Sequence, residues 1–146
     1  MWRIFELNRR IFLALGLTPI AAKADAPEVL LLVGMPVLEL ARHPAVGPRL
    51  RSMSAGRQRI LSDALRGNGP PIEVTNGRWV HGHATTLSAR IFLGFDTRTE
   101  SVVIMLLEEG RPSLFIPPRV APWPAALQPA LRNFAPSIAA VMRFAS

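Results

Sequence analysis

The chain has 146 residues, 17 of them basic and 10 acidic, and no cysteine. That length suits one domain, and 49% apolar against 18% charged residues excludes a disordered chain, because so much apolar surface offsets the entropy of ordering. The missing cysteines exclude disulfide scaffolds, thiolate metal sites, iron–sulfur clusters and cysteine nucleophiles.

The first 24 residues read as an export signal. Arg3, Arg9 and Arg10 flank an apolar run of 12 residues, Ile11 to Ala22, shorter than the roughly 20 that a membrane-spanning helix needs. Ala22-Lys23-Ala24 sets a cleavage site before Asp25, so residues 25–146 are expected to form one mature domain without a membrane span. Asn8-Arg9-Arg10-Ile11-Phe12-Leu13 resembles the twin-arginine export pattern, and a general secretory signal fits the same residues. Either route leads to the periplasm or the exterior. Without this segment the net charge falls from +7 to +4, with 13 arginines against nine acids. These arginines read as dispersed single residues, and with no tyrosine to stack on bases they do not suggest a nucleic-acid partner.

In the mature chain, Glu28 to Ala41 is aliphatic but broken at Gly34 and Pro36, which predicts one short helix and a second through Val37 to Arg42. Pro44 opens a further turn. Ser54 is placed to cap a helix running to Arg66, with Ile60, Leu61, Ala64 and Leu65 as its apolar stripe and Gly67 as its end. Gly67-Asn68-Gly69-Pro70-Pro71 divides this helical half from a strand-like one. Strands are predicted over Ile72–Thr75, Arg78–Ala84, Arg90–Phe95, Ser101–Leu107 and Arg111–Ile116. The joining turns include Asn76-Gly77, Asp96–Glu100 and Glu109-Gly110, and such short connections make neighbouring strands antiparallel. Pro117 and Pro118 end the sheet, and helical stretches follow over Ala125–Phe134 and from Pro136 to Met142. The expected class is α+β: an antiparallel meander of four to five strands with N-terminal and C-terminal helices packed on it, covering one face.

Candidate chemistry is sparse. His81 and His83 share one side of a strand at i, i+2 spacing, but no third ligand completes a metal site, so they read first as half-exposed strand histidines beside a loop. His43 receives no role. Glu108 and Glu109 are adjacent and read as a solvated turn rather than a glycosidase pair, and Asp96 and Glu100 flank a turn. No nucleophile elbow, phosphate-cradling loop or zinc-protease motif is present, so neither catalysis nor a cofactor nor a metal is expected, an unrecognised hydrolase being the third choice. The segment His83-Ala84-Thr85-Thr86-Leu87-Ser88-Ala89 is uncharged and rich in hydroxyls. Loops held by rigid strands often carry recognition, although a plain surface connection has the same composition.

The succession Leu40-Ala41-Arg42-His43-Pro44, Pro71-Ile72-Glu73-Val74, Asn76-Gly77-Arg78-Trp79-Val80-His81-Gly82, Arg90-Ile91-Phe92-Leu93-Gly94-Phe95-Asp96, Val102 to Arg111 and Trp123-Pro124-Ala125-Ala126-Leu127 resembles the inhibitor of vertebrate lysozyme (Ivy) family. That family consists of small exported proteins of Gram-negative bacteria. The resemblance implies a central antiparallel sheet and inhibition of c-type lysozyme by a disulfide-closed loop, Cys-Lys-Pro-His-Asp-Cys, whose His enters among the catalytic carboxylates. Here the loop departs from the pattern. With His83 at the first Cys position, Thr86 stands at the His and Ser88 at the second Cys; with Ala84 there, Leu87 and Ala89 stand in those places. Losing the disulfide raises the entropic cost of inserting the loop. His81 and His83 are candidates to replace the imidazole. The resemblance thus implies a non-catalytic protein that binds a lysozyme-like enzyme through His81, His83, Ala84, Thr85, Thr86, Leu87 and Ser88, supported by Trp79 and Arg90. The alternative is an envelope-binding domain with a decayed loop, whose dispersed arginines contact anionic glycan or lipid. The oligomeric state stays open.

Overall fold

The computed structural model describes residues 25–54 and 56–145. The proposed export residues Arg9, Arg10, Phe12, Leu13, Ala22 and Ala24 lie outside the described residues.

Helix α1 (Asp25–Leu30) and helix α2 (Val37–Arg42) are separated by a turn through Gly34, as the breaks at Gly34 and Pro36 require. Two helices then stand where one was expected. Pro48 starts α3 (Gly47–Met53), and α4 (Gln58–Leu65) begins only after Gly56, which sits at φ +81°. Ser54 is therefore not an N-cap. It closes α3, and its hydroxyl donates to the Arg51 carbonyl at 3.0 Å.

The sheet follows the turn residues closely. Strands β1 (Glu73–Thr75), β2 (Trp79–Thr85), β3 (Ala89–Asp96), β4 (Val102–Glu108) and β5 (Arg111–Ile116) form an antiparallel meander in chain order. Asn76 and Gly77 take φ +57° and +63°, the left-handed pair that a tight hairpin between β1 and β2 needs. Glu109 and Gly110 do the same between β4 and β5, at φ +52° and +79°. After the sheet, β6 (Trp123–Pro124) leads through a 3₁₀ turn (Ala125–Leu127) into α5 (Gln128–Phe134) and the short α6 (Pro136–Ala139). A final strand β7 (Phe144–Ala145) pairs parallel with β6, and this small second sheet was not expected.

Both faces of the sheet are covered, rather than one. Val80, Ala84, Ile91, Leu93, Phe95, Val102, Ile104 and Leu106 pack against residues of α1 to α4, including Val29, Leu40, Leu50, Leu61 and Leu65. On the opposite face Trp79, Phe92, Val103, Met105 and Leu107 pack against Trp123, Leu127, Leu131 and Phe134. The physical reason is visible in β4: Val102 to Leu107 is apolar at six successive positions, all buried, so both sides of the strand need a cover. Each fully buried aliphatic or aromatic side chain adds about 1.5–3 kcal/mol of transfer free energy. Among the described residues no helix is long and apolar enough to cross a membrane.

Candidate functional site

The segment His83 to Ala89 is shorter as a loop than its composition suggests. His83, Ala84 and Thr85 continue β2, Ala89 already belongs to β3, and only Thr86, Leu87 and Ser88 form the connection. The tip is held from three directions. Within it, the Thr86 N–H donates to the Ala89 carbonyl at 2.8 Å and the Ala89 N–H donates to the Thr86 hydroxyl at 3.1 Å. On one flank Asn68 and Thr85 exchange both backbone hydrogen bonds, at 3.0 and 2.7 Å. On the other, the Glu109 N–H donates to the Ser88 carbonyl at 2.8 Å. Gly67 and Gly69 permit this approach, since a Cβ at either would lie 2.4 or 1.9 Å from a carbonyl oxygen of β2.

The candidate contact residues separate by exposure. Leu87 is fully exposed at the tip, with Thr85 and Ser88 exposed beside it, whereas Ala84 is buried in the aliphatic core. The Thr86 hydroxyl is already engaged with the Ala89 backbone. Trp79 stands at the opposite end of β2, six residues and roughly 20 Å from Thr85 along the strand, with its ring buried and the Arg78 guanidinium 6.0 Å above it. Arg90 is opposite Thr85 in register, and its guanidinium lies 4.5 Å over the Phe134 ring and donates to the Phe134 carbonyl at the end of α5. It anchors the hairpin to the C-terminal helices.

His81 and His83 do share a face, the aromatic one, but neither reaches the tip. His81 is 4% exposed, stacks on Phe92 at 5.8 Å and has its Nε2 2.9 Å from the Thr75 hydroxyl. His83 packs on the Phe134 ring at 5.2 Å, with its buried Nδ1 lacking a hydrogen-bond partner. Burial holds both imidazoles below their ordinary pKa, and the positive charge of Arg90 lowers His83 further, while Glu73 opposes both shifts. His81 is enclosed and His83 half-buried, and neither ring lies on the Thr86–Ser88 connection.

Of the acidic residues, Asp96 and Glu109 stand at their turns as expected, and Glu108 does not. Glu108 ends β4 rather than lying in a solvated turn; it pairs with Arg57 at 3.2 Å and accepts a hydrogen bond from Ser113. With Asp63 and Glu109 it lines a cavity of about 380 Å³ that also includes Thr86 and Ser88. Asp96 is buried. Burial alone would raise its carboxyl, but hydrogen bonds from Arg78, from the Thr99 hydroxyl and from the Arg98 N–H outweigh this and hold it well below the usual carboxylate range. Its work is the β3–β4 turn. The 2-residue spacing of Asp96 and Arg98 was the available signal, since an Asp accepting from the backbone two residues on is a common turn device.

The family model described as Inhibitor of vertebrate lysozyme (Ivy) matches residues 45–137. The chain belongs to this family. Comparison with curated proteins and with solved structures gives no match. The Ivy match takes in α3, α4, the whole five-stranded sheet with its β2–β3 hairpin, and α5, while α1 and α2 precede it. An Ivy protein is a binding protein rather than a catalyst. In this member the residues at the hairpin tip are Thr-Leu-Ser, without the cysteines or the histidine of the family loop.

Proposed function

We propose that the protein is an exported, non-catalytic inhibitor that binds a lysozyme-like muramidase through the β2–β3 hairpin tip, Thr85 to Ser88. The observation that carries this reading is Leu87, fully exposed on a tip whose backbone is tied on both flanks. The ties to Asn68, Ala89 and Glu109 do for this hairpin what a disulfide does for the family loop: they restrict the unbound conformations and so reduce the ordering cost of binding. Recognition is then apolar at the centre, with Leu87 entering a cleft, and polar at its edge. Asp63 and Glu109 beside the tip, which no arginine pairs among the described residues, offer acceptors to polar groups at the rim of that cleft.

The test is inhibition of several lysozyme classes on bacterial cell walls, with a direct binding measurement beside it. Leu87→Asp is expected to weaken binding at least thirtyfold, the size of a central apolar contact worth about 2 kcal/mol, and to leave the melting temperature unchanged. Absence of binding by the unaltered protein to every lysozyme class would overturn the reading. Export, with residues 1–24 removed and a periplasmic location, is part of the same proposal, and N-terminal sequencing of the protein recovered from the envelope tests it.

A further inference from the structure

We infer that the outer face of the α2–α3–α4 layer docks on a lipid surface carrying anionic headgroups, an interaction that goes beyond lysozyme binding and stands without it. Charge is the first observation. The arginines are not dispersed: residues 42–66 hold six of them, Arg42, Arg49, Arg51, Arg57, Arg59 and Arg66, against Asp63 alone, whereas the rest of residues 25–146 holds seven arginines against eight acids. All six are exposed. Arg42, Arg49 and Arg57 each face one carboxylate, Glu39 at 3.7 Å, Glu100 at 3.9 Å and Glu108 at 3.2 Å. Among the described residues no carboxylate pairs with Arg51, Arg59 or Arg66.

Shape is the second. A cavity of about 310 Å³ opens between the three helices, with exposed Arg42, Arg51 and Arg66 around it and Leu38, Leu61 and Leu65 beneath. Gly47 makes room for Arg51, because a Cβ there would stand 3.4 Å from its guanidinium and 3.2 Å from the Ala41 carbonyl. The third observation is apolar. In the turn between α1 and α2, Leu31 is 78% exposed, Val33 42% and Met35 40%, and Leu38 follows Met35 within one helical turn.

Arg42, Arg51 and Arg66 around Leu38, Leu61 and Leu65, with exposed apolar residues in the turn that leads into α2, match the boundary of an anionic bilayer, where phosphates accept paired hydrogen bonds and apolar side chains reach the acyl region. A soluble polyanion would engage the arginines and leave Leu31, Val33 and Met35 unused. Residues 1–24 are a poor occupant, since they bring Arg3, Arg9, Arg10 and Lys23 against only Glu6.

The test is co-sedimentation of the full chain with vesicles of phosphatidylcholine, alone or mixed with phosphatidylglycerol, so that residues 1–24 contribute equally in every arm. The expected result is binding that increases on the mixed vesicles and falls with salt. At about fivefold per arginine, Arg51→Gln with Arg59→Gln and Arg66→Gln loses about a hundredfold of that affinity. The control Arg98→Gln with Arg119→Gln and Arg143→Gln removes the same charge elsewhere and keeps it. Equal loss in the two triple variants, or loss in neither, overturns the assignment to this face. Leu31→Ser with Val33→Ser is expected to weaken vesicle binding and spare binding to dextran sulfate. Vesicle binding untouched by that change would make the partner a polyanion and overturn the lipid assignment.

Discussion

The two faces of the sheet are built from different chemistry. Under α1 to α4 the packing is aliphatic, Val, Leu and Ile against one another, with Phe95 the one aromatic ring in that core among the described residues. Under β6 and α5 it carries the rings of Trp79, Phe92, Trp123 and Phe134, with His81 packed on Phe92 and His83 on Phe134. Aliphatic groups interchange volume with little regard for direction, whereas rings and imidazoles impose orientation and carry polar atoms that must be satisfied. Among the described residues the two buried ionisable side chains, His81 and Asp96, lie on the aromatic side, on strands β2 and β3. The hairpin tip stands at the end of the strands that separate these two chemistries, and Arg90 connects it to the aromatic one.

The largest expected break in this contrast is Trp123→Ala. Its ring is wholly buried and its indole N–H donates to the Pro117 carbonyl at 3.0 Å, so the substitution should cost about 4 kcal/mol. Leu93→Ala on the aliphatic face should cost about 3 kcal/mol. Urea denaturation measures both, and equal losses would erase the distinction. Next come two glycines that face opposite ways. A Cβ at Gly94 would stand 2.7 Å from a Val103 methyl on the aromatic side, while one at Gly82 would stand 3.1 Å from Val37 on the aliphatic side. Gly94→Ala should therefore destabilise by about 2 kcal/mol and Gly82→Ala by about 1 kcal/mol or less, the order being the measurable claim.

The smallest effect is a dependence on pH. Because His81 and His83 have pKa values lowered below the ordinary 6.5, the unfolded chain binds more protons than the folded one as the medium acidifies. Their contribution is complete above pH 6.5 and declines as pH falls beneath it. Asp96, lowered from 3.8, contributes stability above that value and loses it as pH falls further. Chemical denaturation between pH 7 and pH 5 should show a slope that disappears in the double variant His81→Gln, His83→Gln. A slope that persists unchanged would assign it to other groups.

The sheet was legible because turn residues are local. Asn76-Gly77 and Glu109-Gly110 announce hairpins through backbone preference alone, and the five strands fall within a residue or two of where those turns place them. Ser54 misled because its hydroxyl serves either end of a helix, and only the positive φ of Gly56 decides which. The histidines misled because alternation shows that two side chains share a face, never how thick the layer above that face is. The Val102–Leu107 run was the missed sign of a second layer, and with two layers His81 has to be inside. At the candidate site, the tip residues were found but not their exposure, since the ties to Asn68 and Glu109 join positions far apart in the chain.

The outer strands set a limit on how this molecule can be approached. On one border β1 pairs over only three residues, and on the other β5 carries Pro112, which has no N–H, beside a register shift at Leu106 and Leu107. Neither border presents a continuous ladder of free donors and acceptors, so an extended peptide from another chain finds little backbone to zip onto. Fibril growth by strand addition is discouraged for the same reason.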